Sequence, residues 1–131
     1  MSTTLLLDTH VLLWWLVSPG KLSRRAHRLI ERSAAAVSVL SIWELRLKQE
    51  SRSLVLPPGN LADLIAAQDF RLLPLTVGHV EAAAALGGLH ADPYDRLLIG
   101  SARAERMCFV TRDAQILELA APLLGELLLE A

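Results

Sequence analysis

Residues 5–15 read LLLDTHVLLWW, a stretch that places one carboxylate, Asp8, between two apolar runs. The three leucines before it have the pattern of a short buried strand, and the residues after Thr9 have the apolar pattern of a helix. A carboxylate among so many core-type residues is costly to bury unless something pairs with it. The stretch therefore predicts a strand that gives way to a helix at Asp8, and a partner for the charge of Asp8.

The same order of a short apolar run and a helical pattern repeats along the chain. Further strand candidates are AAVSVL (35–40), RLLPLT (71–76) and CFVT (108–111), while GELLLEA (125–131) fits either a last edge strand or a frayed tail. The helix after AAVSVL is predicted from about Ser41 to Ser51. Strands that alternate with helices predict an α/β fold, a three-layer α/β/α sandwich with a central, mostly parallel sheet of four to five strands.

The composition indicates one domain over residues 1–131. Hydrophobic residues make up 53% of the chain, and 13 basic residues nearly balance 14 acidic ones, so nothing draws the whole chain to nucleic acid or membrane. Cys108, the single cysteine, lies in an apolar context and fits a buried residue in a reducing compartment. Without a basic leader or a membrane-spanning apolar stretch, a cytoplasmic protein is expected.

Acidic residues stand at the starts of the predicted helices, near the strand ends where an α/β sheet binds its ligands. They are Asp8, Glu44, Asp92, Asp95 and Asp113. Each has a structural explanation when it is taken singly. Ser41 and Glu44 spell a capping box, Glu44 could also pair with Lys48, and each aspartate could cap a helix or complement its dipole.

Helix caps do not explain the whole pattern. Asp95 shares an apolar helix face with Leu98 and Ile99, whereas a carboxylate that serves only as a cap would do better facing water. If the sheet brings the acids together, they repel one another, and a bound divalent cation removes that repulsion. Ligation by carboxylate oxygens favours Mg²⁺ or Mn²⁺ over Zn²⁺.

Other acidic or nucleotide-binding sites fit the sequence poorly. A haloacid-dehalogenase-type phosphatase has a second Asp where this chain has His10, and the acidic pair and late lysine of a receiver domain are not evident. The chain has no P-loop, GxGxxG or GxSxG motif. The histidines are scattered and are interpreted as structural or surface residues, with His10 notable beside Asp8: His10, His27, His79 and His90.

Four motifs are distributed along nearly the whole chain: LLLDTHVLLWWL (5–16), SVLSIWELRLK (38–48), HADPYDRLLIGSA (90–102) and FVTRD (109–113). In order and spacing they resemble the motifs of the PIN-domain ribonucleases, and within these the VapC-type toxins of bacterial toxin–antitoxin pairs. Two departures are small. Tyr94 stands where the family usually has Phe, and residues 100–102 read GSA where Ala-Gln-Ala is more frequent.

The resemblance implies an acidic quartet around the metal, formed by Asp8, Glu44, Asp95 and Asp113. It implies that Asp92 is an accessory acid or a pure cap, and that the hydroxyls of Thr9 and Thr111 hydrogen-bond the site. It also implies that the protein forms a homodimer and that it has a cognate antitoxin as a partner. The expected function is Mg²⁺- or Mn²⁺-dependent endonucleolytic cleavage of RNA by the toxin, with one or two ions left open.

An acidic cleft that receives RNA needs basic residues around it. The candidates are Arg24, Arg25, Arg28, Arg46, Lys48, Arg96 and Arg112. Arg96 and Arg112 could instead hold the neighbouring carboxylates as ion-pair partners, and for the cluster over 24–32 a solvated helix face is the favoured alternative. The tryptophans are interpreted as core or a groove for a partner helix rather than as base-stacking residues: Trp14, Trp15 and Trp43.

Two other classes of function stay open at this point. One is a catalytically inactive PIN-fold module that binds RNA or protein, and the other is a purely structural α/β domain whose acids are all helix caps. The positions of the four carboxyl groups discriminate between the classes, because a metal site requires them to converge and caps alone do not.

Overall fold

The structure, a computed structural model, describes residues 3–87, 92–124 and 128–131. Its strands are β1 (Leu5–Leu7), β2 (Ala35–Ser38), β3 (Arg71–Leu73), β4 (Cys108–Thr111) and β5 (Leu128–Glu130). In these ranges they form one sheet in the order β3-β2-β1-β4-β5, and each neighbouring pair is parallel. Because β1 lies between β2 and β4, the residues that follow these three strands emerge side by side at one edge of the sheet.

The helices that cover the sheet follow the predicted alternation. They are α1 (Thr9–Val17), α2 (Arg24–Arg32), α3 (Val39–Glu50), α4 (Leu61–Ala67), α5 (Val77–Ala85), α6 (Pro93–Glu105) and α7 (Ala114–Leu124). A single 3₁₀ turn, Pro19–Lys21, separates α1 from α2. In the part of the chain that the structure describes, no helix is long and apolar enough to cross a bilayer.

Side chains of β1 alternate between the two faces of the sheet. Leu5 and Leu7 pack in a core with residues of α1, α2, α3 and α4, while Leu6 packs on the other face with Phe109 and residues of α6 and α7. Helices therefore bury both faces of the sheet, and each strand residue of β1 is fully enclosed. The predicted three-layer α/β/α sandwich with a parallel sheet is confirmed.

Residues 128–130 of the last apolar run form an edge strand rather than a frayed tail, and residues 125–127 lie outside the described residues. β5 pairs with β4 in parallel register, and the amide of Ala131 donates to the carbonyl of Thr111 at 2.7 Å. The buried end of the chain at Ala131 is therefore fixed beside β4 and close to the edge of the sheet that carries Asp8.

The start of α3 differs from the prediction. The helix begins at Val39, and Ser38 is its N-cap, with its side-chain oxygen accepting from the amide of Leu40 at 3.1 Å. The chain leaves β2 and enters the helix without a loop, so that Ser41 and Glu44 lie inside α3. The predicted capping box between Ser41 and Glu44 is therefore wrong, because the helix starts one serine earlier.

Candidate active site

Asp8 lies where the central strand β1 ends, at the N-cap position of α1. Its side chain makes no capping hydrogen bond to that helix, and it is 3% exposed. One carboxylate oxygen, Oδ2, instead accepts a hydrogen bond of 2.8 Å from the hydroxyl of Thr111 at the end of β4. The interpretation of Asp8 as an ordinary helix cap therefore does not describe what its carboxylate does.

Burial raises the pKa of the Asp8 carboxyl above its ordinary value, because the charged form loses its hydration. The nearby charge of Glu44 adds to this effect, while the hydrogen bond from Thr111 and the side chain of His10 act in the opposite direction. Two ionised carboxylates repel each other, and in a desolvated position this repulsion makes it less favourable for both to be ionised. Such a pair gains from a cation between or beside them.

Thr111 connects Asp8 to the start of α7. Its hydroxyl donates to Asp8 and accepts from the amide of Asp113 at 3.1 Å. Because the amide can only donate, the hydroxyl hydrogen of Thr111 is directed to the carboxylate. The implied role of Thr111 as a hydroxyl that hydrogen-bonds the site agrees with this contact, and the side chain is fully buried.

We expect Thr111→Val to destabilise the protein, because it leaves the buried Asp8 carboxylate and the Asp113 amide without this partner. The loss should be about 1 kcal/mol in the free energy of unfolding, measured by urea denaturation. Thr111→Ser keeps the hydroxyl and is the matched control, with stability closer to the parent protein. Equal stability of the valine and serine variants would contradict a stabilising role for the hydrogen bonds of the Thr111 hydroxyl with Asp8 and Asp113.

Glu44 lies in the second turn of α3 and is buried. Its Oε2 atom is 3.5 Å from the ammonium of Lys48 one turn later, whereas its Oε1 atom is buried without a hydrogen-bond partner. The ammonium of Lys48 also lies 3.2 Å from Nε2 of His10 on α1. The predicted Glu44–Lys48 pair is present, and it satisfies only one of the two carboxylate oxygens. A buried carboxylate oxygen without a partner is the kind of atom that a cation or a water would satisfy.

Asp92 and Asp113 are helix caps. Oδ1 of Asp92 accepts from the amides of Tyr94 at 2.8 Å and Asp95 at 3.1 Å. Oδ1 of Asp113 accepts from the amides of Gln115 at 2.9 Å and Ile116 at 3.2 Å. Asp113 also lines a cleft of about 230 Å³, which we call the acidic cleft, together with Asp8, His10, Trp14 and Arg112. Asp113 therefore caps α7 and contributes to the wall of this cleft.

Asp95 stands in the first turn of α6 and is partly buried. Helix α6 contacts α3, which carries Glu44, and α3 contacts α1, which follows Asp8. The three acid-bearing segments are thus packed against one another. Across the described ranges, however, no group of three or more His, Cys, Asp or Glu side chains is arranged to hold a metal ion. The convergence of all four carboxyl groups stays a prediction.

The hydroxyl of Thr9 contacts a serine of α3, and its implied role of hydrogen-bonding the site stays a prediction. Its hydroxyl lies 2.9 Å from that of Ser41, and both side chains are buried between α1 and α3. Sequence reasoning missed Ser41 as part of this region because it treated the residue only as a cap. Its position three residues before Glu44, on the same face of α3, is the signal that could have identified it.

Four of the basic candidates differ in their contacts. The guanidinium of Arg46 donates to Oε1 of Gln49 and the carbonyl of Gly59, and that of Arg96 donates to the carbonyl of Ala83 on α5. These contacts hold secondary-structure elements together. Lys48 and Arg112 stand closer to the acidic residues, since Lys48 pairs with Glu44 and Arg112 lines the acidic cleft.

The tryptophans divide into two groups. Trp14 and Trp15 are partly buried against the core, and Trp15 also donates to Gln68 at 3.0 Å. Trp43 is 56% exposed on α3. The prediction of core residues therefore describes Trp14 and Trp15, while Trp43 leaves a large apolar side chain in solvent.

The remaining histidines and the cysteine have structural surroundings. His79 is buried and completes a capping box with Thr76, and His27 stacks on Trp15 with ring centroids 4.6 Å apart. Burial raises the pKa of the Cys108 thiol to about 11, which keeps it protonated and unreactive. His90 lies outside the described residues.

Comparison with known proteins assigns the family. The model of the PIN domain matches residues 5–122, so the chain belongs to the PIN-domain family. It is 33% identical over 118 residues to a curated protein named Ribonuclease VapC22 from Mycobacterium tuberculosis, a match that covers 87% of this chain and 90% of that protein.

Solved structures share the fold at lower sequence identity. A crystal structure of VapBC2 from Rickettsia felis bound to a DNA fragment of its promoter aligns with a TM-score of 0.65 and 15% identity, over 98% of this chain and 97% of that one. A crystal structure of FitAcB from Neisseria gonorrhoeae aligns with a TM-score of 0.59 and 20% identity, over 88% and 92% of the two chains.

Proposed function

We propose that the protein is a metal-dependent endoribonuclease that cleaves RNA phosphodiester bonds and acts as the toxin of a bacterial toxin–antitoxin pair. Membership of the PIN-domain family and the match to a ribonuclease support the reaction class. Residues 1–131 form one PIN domain in this proposal. The single observation that carries it is the buried pair of carboxylates, Asp8 and Glu44, beside a cleft at the carboxyl edge of a parallel sheet.

The residues present fit a divalent cation. Glu44 has a buried carboxylate oxygen without a partner, and the charge of Glu44 acts on the desolvated Asp8. An all-oxygen donor set of this kind suits Mg²⁺ or Mn²⁺. In the proposal Asp8, Glu44 and Asp95 hold the ion, and Asp113 completes the site or holds a second one. When bound, the cation supplies positive charge to the scissile phosphate and acidity to a water molecule.

The protein's own residues prepare the site for this chemistry. Thr111 fixes Asp8 through a directed hydrogen bond, and Lys48 restrains one oxygen of Glu44 so that the other stays available. In this proposal a water molecule is the nucleophile, so that no protein nucleophile is needed. The packed strand and helix that carry Asp8 and Glu44 leave their buried carboxylates little freedom to move.

The proposed partners are an antitoxin protein and a second copy of the chain, in the bacterial cytoplasm. The solved structures that share the fold include VapBC2 bound to a DNA fragment of its promoter, which supports a toxin–antitoxin complex as the class of assembly. Trp43 offers an exposed apolar side chain on α3 for contact with a partner.

The proposed function is tested by incubating the purified protein with total bacterial RNA and with Mg²⁺, Mn²⁺ or a chelator. We expect cleavage with either ion and none with the chelator. Glu44→Gln removes the charge of a proposed ligand and should lower the cleavage rate about 100-fold. Glu50→Gln, at the exposed end of the same helix, is the matched control and should keep the parent rate.

The outcomes separate the proposal from its main alternative. Cleavage that continues unchanged in chelator, or equal rates for the two glutamate variants, would contradict the metal-dependent site. Binding of RNA without cleavage under every metal condition would favour a catalytically inactive PIN-fold module.

A further inference from the structure

We propose that the outer face of α2 and the groove beside β5 bind the RNA strand as it leaves the acidic cleft. This inference rests on the proposed function and adds a second contact surface to it. From the sequence alone, the arginines of α2 fit either RNA contacts or a solvated helix face, and the solvated face is favoured. Their position in the fold supports the first of these, because they line a series of depressions of which one adjoins the acidic cleft at Arg112.

Four depressions in the surface share lining residues and therefore adjoin one another. The acidic cleft shares Arg112 with a second depression of about 370 Å³, which also includes Arg25. That depression shares Arg25 and Leu129 with a third of about 340 Å³, and the third shares Arg28 with a fourth beside His27. The depressions form a path from Asp8 across β5 to the middle of α2, which we call the α2 groove.

The described residues that line this path carry more positive than negative charge. Arg24, Arg25, Arg28 and Arg32 are exposed, and none of them forms an ion pair within the residues that the structure describes. The acid of α2, Glu31, lies 3.8 Å from the ring of His27. Among the residues that the structure describes, Glu130 is the only acid that lines the second, third and fourth depressions.

Arg112 marks the junction between the acidic cleft and the groove. Its guanidinium donates to the carbonyl of Lys21 at 2.5 Å and lies 5.9 Å from the ring centroid of Trp14. These two contacts hold the positive charge in place at the exit of the cleft. A strand whose scissile phosphate lies at Asp8 therefore meets a fixed cation first and the arginines of α2 next.

The spacing of the arginines suits a polyanionic strand. Arg24, Arg28 and Arg32 follow one another about 6 Å apart along the helix axis, from the rise of 1.5 Å per residue. Leu29 and Leu129 are partly buried in the floor of the third depression, where they offer apolar surface to a base or ribose. Repeated cations above an apolar floor are the features by which proteins bind single-stranded nucleic acid. Because the groove is continuous with the acidic cleft, RNA is favoured over an acidic protein segment as its occupant.

The experiment compares two triple variants with the same change in net charge. The groove variant carries Arg25→Gln, Arg28→Gln and Arg32→Gln. The control variant carries Arg52→Gln, Arg71→Gln and Arg103→Gln at exposed positions that line none of the four depressions. Both are placed in an Asp8→Asn background, and binding of a fluorescein-labelled single-stranded RNA of about 15 nucleotides is measured by anisotropy across a salt series.

The groove variant should bind the RNA at least about tenfold more weakly than the control, and the slope of log affinity against log salt should fall by about 2. In the parent background, the groove variant should lose kcat/KM on the strand of about 15 nucleotides and keep it on one of about 4 nucleotides. Circular dichroism of each variant verifies that the helices are retained.

Three outcomes would overturn the inference. Equal binding and equal salt slopes for the groove and control variants, with normal cleavage by the parent protein, would reject the groove and leave the proposed function intact. An equal loss of kcat/KM on the short and long strands would reject a contact beyond the cleft. Absence of RNA binding and cleavage in the parent protein would reject the proposed function and the groove together.

Discussion

Asp8→Asn should abolish RNA cleavage and leave the fold at least as stable as the parent protein. Asn preserves the size of the side chain and can accept the hydrogen bond from Thr111, while it removes the negative charge that a cation requires. We expect the cleavage rate to fall about 1,000-fold, since Asp8 lies at the centre of the proposed site. The rate is measured on the same RNA and metal conditions as the parent protein.

Stability should change in the opposite direction, for a reason that the surroundings of Asp8 supply. Burial raises the pKa of Asp8 in the folded chain above its value in the unfolded chain, so the folded state holds the proton more tightly. The stabilisation from protonation is fully present below the unfolded pKa and is lost as the pH rises through the folded pKa. Metal-free parent protein should therefore lose stability over this interval, and Asp8→Asn should lack that loss.

The measurement is urea denaturation of both proteins in chelator across a pH series, with a cation titration at neutral pH. The cation should stabilise the parent protein by up to about 3 kcal/mol at a hundred times its dissociation constant, and it should stabilise Asp8→Asn much less. Asp69→Asn is the matched control, because Asp69 is exposed and its left-handed backbone suits Asn.

A different pattern would change the interpretation of Asp8. If Asp8→Asn were less stable than the parent in chelator and still cleaved RNA, Asp8 would be a structural residue. If the cation stabilised both proteins equally, its binding site would lie elsewhere. The combination of lost cleavage and retained stability is what distinguishes a metal ligand from a helix cap.

The sequence could locate Asp8 but could not decide its role. The apolar run before it predicts a buried strand, and the next residues predict a helix, so its position at a strand end follows from the pattern. Its partner Thr111 is 103 positions away, and the two meet because β4 lies next to β1. Periodicity within a segment carries no information on which strands become neighbours.

Local sequence preference was also insufficient to decide which residue caps each helix. Asp92 and Asp113 do cap their helices, Asp8 does not, and the Ser41–Glu44 capping box is replaced by a cap at Ser38. Asp and Ser are favoured at the N-cap and Glu three residues later, so local preference cannot separate these positions. The N-cap of α3 is set by the end of β2, because the strand continues to Ser38 and the helix begins at the next residue.

For the arginines of α2, the helical pattern predicts exposure but not which other segments lie beside them. Their spacing predicts an exposed face, and the structure has them exposed. The groove beside them depends on β5, which comes almost 100 positions later in the chain and supplies Leu129. A feature formed by two distant segments could not be read from either of them.

Gly100→Ala should destabilise the protein by about 2 kcal/mol, although alanine is the better helix former. Gly100 lies inside α6 where that helix crosses α5, and a methyl group there would come 2.6 Å from the backbone nitrogen of Ala83 and 2.8 Å from its Cα. Backbone atoms in a packed helix cannot move aside at low cost, so the cost here should lie at the upper end of the range of about 1–3 kcal/mol that is typical of overpacking. The gain of about 1 kcal/mol in helix propensity offsets only part of that loss.

Gly78→Ala is the matched control, since it lies in α5 and a methyl group there would meet only the Thr76 hydroxyl at 3.6 Å, an ordinary contact. It should be neutral or stabilising by up to about 1 kcal/mol, so the two glycine variants should change the urea midpoint in opposite directions. The same pair tests the site, because α6 also carries Asp95 in its first turn. If α6 must move away from α5 to admit the methyl group, Gly100→Ala should lose RNA cleavage as well as stability. A Gly100→Ala protein as stable as the parent would contradict the close crossing of the two helices.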